Sequence, residues 1–258
     1  MLSRAVLGRL SSLVLFVALV LAWEMFARGS RLSALVLPAP SVIWDTLWSG
    51  LRSGYFWPHL VHTGTQLVLG LALGCITGFV GGIVMAESAF LRRLLFPYVL
   101  VSQVVPKLAL APLFIVWFGF GMTSTVVITA LICFFPLMEN TLTGLQQVEP
   151  RKLELFRMLG ATRGQTLLRL KIPSGLPVIM AGFRVAVVLA LVGAVVGEFI
   201  GGSKGLGALI IASQSMMDTP LMFAVLLLIT ALGLVMYQLA TGLERLLLRQ
   251  HLKETTKD

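Results

Sequence analysis

About six segments of this chain hold some 20 mainly apolar residues each, the number a helix needs to cross a hydrocarbon core roughly 30 Å thick. They run Leu10–Ala27, Thr65–Met85, Leu94–Phe118, Val126–Leu145, Pro177–Ile200 and Leu221–Thr241. In hydrocarbon every backbone N–H and C=O must find its partner within protein, so isolated runs of this length predict helices rather than open sheets. The fold class that follows is all-α, a polytopic membrane helical bundle forming a single domain over residues 1–258. A hydrophobic content of 57%, a charged content of 12% and a mean hydropathy of +0.94 agree, because they leave too little polar surface for a water-soluble globule.

The net charge of +9 does not indicate nucleic acid, because Lys and Arg fall in short clusters between the apolar runs rather than on one basic face. Those clusters orient the bundle. With the N-terminus in the cytoplasm, Arg4, Arg9, Arg92, Arg93, Arg151, Lys152, Arg157, Arg163, Arg169, Lys171, Arg245, Arg249, Lys253 and Lys257 lie inside. Only Arg28, Arg31, Arg52 and Lys204 lie outside, which satisfies the positive-inside rule and puts both termini in the cytoplasm. No small-residue cleavage pattern follows Leu13–Trp23, so the first run reads as a retained span rather than a signal peptide. Cys75 and Cys133 sit singly inside apolar runs, without nearby His ligands, and read as small buried hydrophobes.

Residues 37–51 form another kind of element: Pro38 and Pro40 break the chain, Ser41 is placed to cap a helix, and Val42, Trp44, Leu47, Trp48 and Leu51 follow. Too short to span, this helix is expected along the outer interface, where Trp rings settle. Within the membrane, Gly70, Gly74, Gly78 and Gly82 repeat every four residues, as do Gly182, Ala186, Ala190 and Ala194. Such stripes allow close backbone approach, either within the chain or to another subunit. Lys107, Glu139, Arg184 and Glu198 are costly inside apolar runs and are candidates for a translocation pathway or for gating ion pairs. Arg184 and Glu198 share a helix face but lie about four turns, roughly 21 Å, apart, so each needs another partner. Pro106 and Pro112 interrupt the third run, as a kink or as a broken helix bordering a pathway.

The longest polar connection, residues 147–173, is highly specified. Pro150 suits a first helical position, Glu149 and Glu154 lie toward the positive helix end, and Gly160 suits a left-handed stop. Thr162 with Gln165 makes a capping-box pattern, opening a second short helix through Leu167, Leu168 and Leu170 that Pro173 is expected to close. The result is a helix–turn–helix elbow whose Leu153, Phe156 and Leu159 need cover from the spans or from another protein.

Glu154, Leu155, Phe156, Gly160 and the closing Leu170-Lys171-Ile172-Pro173 resemble the EAA loop of permease subunits from bacterial ABC importers. Leu155 and Phe156 replace the usual alanines, so the resemblance lies in spacing and in Glu154, Gly160 and Pro173. Pro106–Pro112, Trp117–Gly121, Gly197–Gly201 and Gly205–Gly207 extend it toward the nitrate, sulfonate and taurine branch. Asp218–Ala224 is similar to members carrying thiamine-pyrimidine precursors or riboflavin. The resemblance implies a type I importer architecture in the bacterial inner membrane, with two copies of the chain and two ABC ATPase subunits that bind ATP and Mg. A periplasmic or lipoprotein substrate-binding protein would deliver a small polar or anionic nutrient. It assigns Glu154, Leu155, Phe156, Leu159, Gly160, Ala161, Leu170 and Pro173 to the ATPase contact, with no cofactor in this chain.

Two other functional classes fit the sequence less well. Gly201–Gly205 matches G-x-S-x-G, but the only His after it, His251, falls on the opposite side of the membrane, so an enzyme is not expected. A self-sufficient carrier or channel suits the glycine stripes yet leaves the elbow unexplained, and no internal duplication is evident. The chain has no G-x-x-x-x-G-K-[ST] phosphate loop, so ATP has to act through a partner.

Overall fold

The computed structural model describes residues 2–29 and 35–255. Arg31 and Lys257 lie outside the described residues, as do the side chains of Arg4, Arg9, Arg249, His251 and Lys253. In chain order the helices are α1 (Leu2–Gly29), α2 (Pro40–Arg52), α3 (Trp57–Glu87), α4 (Ala89–Val104), α5 (Ala111–Phe118) and α6 (Met122–Gln146). They continue as α7 (Pro150–Met158), α8 (Arg163–Thr166), α9 (Ile172–Gly201), α10 (Leu206–Ser215) and α11 (Thr219–Thr255). Among the described residues, four helical stretches are long and apolar enough to cross a membrane: Trp57–Glu87, Met122–Gln146, Arg163–Gly201 and Thr219–Leu248. α1 covers the first predicted span with 28 residues.

The centre of the bundle is α6, held between α3 and α9. Both small-residue stripes pack within the chain. A β-carbon at Gly74 would lie 2.6 Å from the Ala130 carbonyl oxygen, one at Gly78 2.5 Å from that of Phe134, and one at Gly82 2.7 Å from that of Met138. On the other side of α6, Gly182 meets Asn140 and the Pro136 carbonyl, while Ala186, Ala190 and Ala194 are fully buried. Where lipid tails are as apolar as Leu, such close backbone contact supplies the dispersion energy that burial from water supplies in soluble cores.

The third predicted span is not one helix. α4 has 16 residues, a 3-10 turn follows at Lys107–Leu110, and α5 has eight. Pro106 pushes Val105 into extended backbone (ψ 124°), and Pro112 fits the first turn of α5. Of the two readings the prolines allowed, the broken helix is the one formed.

The predicted Ser41 cap is also corrected. Ala39 holds the N-cap position of α2 without a side-chain bond, and Ser41 lies inside the first turn. Its backbone N–H donates to Glu24 Oε2 of α1 (3.0 Å) and its hydroxyl to Glu24 Oε1 (2.8 Å), while Arg28 bonds both Glu24 and Ser41. A carboxylate from another helix thus meets the free donor that a local cap would have taken, the preferred charge at a helix start. α2 buries Ile43 and Leu47 against α10 and α11, and stacks Trp44 on Trp48 on its exposed side, with Arg52 over the Trp48 ring.

Candidate coupling elbow and intramembrane polar groups

α7 starts at Pro150 and ends in a Schellman motif, because Gly160 takes φ +70° at no steric cost. The Gly160 N–H donates to the Arg157 carbonyl and the Ala161 N–H to that of Phe156, both at 3.0 Å. The capping box forms as read: Gln165 N–H donates to Thr162 Oγ1 (3.2 Å), and Thr162 N–H to Gln165 Oε1 (2.8 Å).

Pro173 does not close the second arm. Residues Leu167–Lys171 form a π turn in which the Ile172 N–H donates to the Leu167 carbonyl, and Pro173 then occupies the first turn of α9. The wider turn takes up the proline that would have broken an α-helix, so the arm runs continuously into the fifth span.

This arrangement divides the elbow residues in two. Glu154, Leu155, Leu159 and Gly160 are exposed, with Leu159 at 73%, and Met158 beside them at 81%. Phe156 and Ala161 are half-buried. Leu170, grouped with the elbow contacts, is buried against the rest of the chain at 7% exposure, and Pro173 is half-buried, so Leu170 supports the elbow from within. Lys171 Nζ pairs with Glu87 Oε1 at the end of α3 (2.6 Å).

The four intramembrane charges do not converge on one site. Arg184 Nη1 of α9 pairs with Glu244 Oε2 of α11 (3.2 Å). Lys107 lies 3.5 Å from Gln103 Oε1 and 5.9 Å from the Phe135 ring centre. Glu139 lines a cleft of about 490 Å³ between α4 and α6 with Arg92, Arg93 and Phe96, at the same end of the bundle as the elbow.

Glu198, at 1% exposure, has no cationic partner among the contacts described for it. Its carboxylate accepts from the Thr63 hydroxyl (2.8 and 3.0 Å) and from the Gly207 N–H (2.8 Å). The same Thr63 oxygen accepts from the Leu206 N–H (2.8 Å), and His59 Nδ1 meets the Gly205 backbone. Gly202–Gly207 is therefore pinned onto α3. Thr63, His59 and Glu244 escaped the sequence reading because their partners are far along the chain, and polar residues at helical spacing carry no signal of what they touch.

The family of binding-protein-dependent transport system inner membrane components matches residues 70–249. The chain is 38% identical to the riboflavin transport system permease RibX of Chloroflexus aurantiacus, covering 92% of this chain and 88% of that one. It is 36% identical to the formylaminopyrimidine transport permease ThiX of Halalkalibacterium halodurans, covering 90% and 92%. It is 32% identical to the putative aliphatic sulfonates permease SsuC of Bacillus subtilis, covering 94% and 88%. The chain belongs to this family of importer permeases. Inward-facing structures of the MetNI methionine ABC transporter share its fold, at a TM-score of 0.63 with 19% identity over 75% of this chain and 98% of that one. As an ABC importer permease it is a multi-pass membrane subunit rather than an enzyme, and works with an ATPase and a substrate-binding protein.

Proposed function

We propose that residues 150–161 are the contact through which two cytoplasmic ATPase subunits drive two copies of this permease, and that the cargo is a small heteroaromatic nutrient. The observation that carries the first part is the exposed row Leu155, Met158 and Leu159 on a helix that Gly160 stops cleanly, a helix that also exposes Arg151, Lys152 and Arg157. A row of that kind at a water-facing position marks a binding surface rather than a core. Glu154 through Ala161 enter a groove of the partner, which binds the ATP and Mg. Binding-driven closure of the ATPases then moves the elbows and turns the pathway outward. α4 buries none of its residues and α5 exposes Val116 and Trp117, a face suited to a second copy.

The cargo reading rests on the higher identity to RibX and ThiX than to SsuC and to the taurine permease TauC of Escherichia coli, 29% identical. Of the intramembrane cations that could face an anionic cargo, Arg184 is already neutralised by Glu244.

Two measurements test this. Leu155→Glu and Leu159→Glu should leave the permease monodisperse while abolishing ATPase co-purification; wild-type assembly in both refutes the docking surface. Proteoliposomes holding the permease, its ATPase and its binding protein should take up riboflavin or formylaminopyrimidine with ATP inside. Uptake of taurine or alkanesulfonate with neither heteroaromatic moving would reverse the cargo assignment.

A further inference from the structure

We propose that Lys171 and Glu87 form the link that carries elbow movement to α4, making them positioning residues for transport. The inference rests on the elbow being the ATPase contact.

The geometry begins with the π turn. One extra residue in a helical turn rotates everything after it by about 100° relative to an uninterrupted α-helix. Lys171 is the last residue of that turn, so the bulge decides which way its side chain leaves the arm. It meets Glu87 at 2.6 Å in a bond that solvent can reach, with the Lys171 and Glu87 side chains 18% and 28% exposed.

Glu87 is the last residue of α3, and Ser88 follows as the N-cap of α4, accepting from the Leu91 N–H (3.3 Å). Ser88 has extended backbone (φ −125°, ψ 106°), a sharp break between two helices. A pull on Glu87 therefore acts on the joint where α4 begins. α3 itself is locked to α6 along its glycines, whereas α4 buries none of its residues. Of the two helices meeting at this joint, α4 is the one less firmly held within the chain. Gly144 and Gly175 meet backbone to backbone nearby, fixing the crossing of α6 and α9 and leaving the arm below it as the lever.

The test reads exchange protection in the permease–ATPase complex, which needs no knowledge of the cargo. Hydrogen-exchange mass spectrometry follows segments 150–160 and 88–95 before and after trapping with ATP and vanadate. Both should respond in the wild-type complex. In Lys171→Met and Glu87→Gln the elbow response should persist while that of 88–95 falls at least about threefold, the scale of coupling lost between contacting charges. Lys171→Arg should behave as wild type, and the exchanged pair Lys171→Glu with Glu87→Lys should recover most of the 88–95 response. An unchanged 88–95 response in both single variants overturns the link. So does failure of either variant to assemble, because the pair would then serve folding, and so does an exchanged pair no better than the singles. A wild-type complex in which 150–160 itself fails to respond would refute the docking surface instead.

Discussion

Gly205 sits directly over the carboxylate of Glu198, so that a β-carbon at position 205 would overlap Oε1 and Cδ. The residue also has φ +113°, outside the range L side chains adopt readily. Overlap and backbone strain act together, and Gly205→Ala should cost about 2–4 kcal/mol, read as a clear fall in the thermal melting temperature of the detergent-solubilised permease. A melt unchanged from wild type would mean that the segment does not rest on Glu198.

Thr63 both donates to Glu198 and accepts from the Leu206 N–H, so Thr63→Val removes two bonds with almost no change of volume. One of the groups left short is a buried carboxylate, and a loss of roughly 1.5–3 kcal/mol is expected, with Thr63→Ser restoring most of it. The same melting assay decides it, and Thr63→Ser as damaging as Thr63→Val would point to packing instead.

Arg184 and Glu244 predict a non-additive pair. Arg184→Leu or Glu244→Leu alone leaves a charge facing apolar surroundings, and the Arg184 side chain is 35% exposed, so about 1–2 kcal/mol is expected from each after screening. The double Leu variant should be no less stable than either single one. Additive losses in the double-variant cycle would show that the charges do not interact.

Gly78 and Gly64 lie on the same helix in opposite settings. A β-carbon at Gly78 meets the Phe134 carbonyl at 2.5 Å, whereas at Gly64 nothing lies within 4 Å. Gly78→Ala should destabilise by about 1–3 kcal/mol. Gly64→Ala should be neutral or raise stability by up to about 1 kcal/mol, the intrinsic helix preference for Ala. Comparable effects at the two sites would remove close α3–α6 packing as the cause.

What the sequence made legible was local. Pro150, Gly160, Thr162 and Gln165 act on backbone groups within a few residues, so the ends of α7 and the start of α8 were readable from spacing alone. Pro173 has the local signature of a stop but does not act as one, because a π turn shifts the hydrogen-bond register just before it and no residue type announces that turn. Ser41 has the local signature of a cap, yet its own N–H is met from a distance, by Glu24 of α1. Among the charged residues, helical distance alone keeps Arg184 and Glu198 from pairing with each other. Their actual partners, Glu244 and Thr63, depend on which helices adjoin, which periodicity does not encode.

The glycine contacts of α3 and α9 on α6 also settle where this molecule can bend. Backbones this close resist sliding, because a shift by one residue brings a side chain to where only glycine fits. These three helices form a chassis, and the parts mounted on it with less backbone contact are the broken limb of α4 and α5, the elbow, and the outer helices α1 and α11.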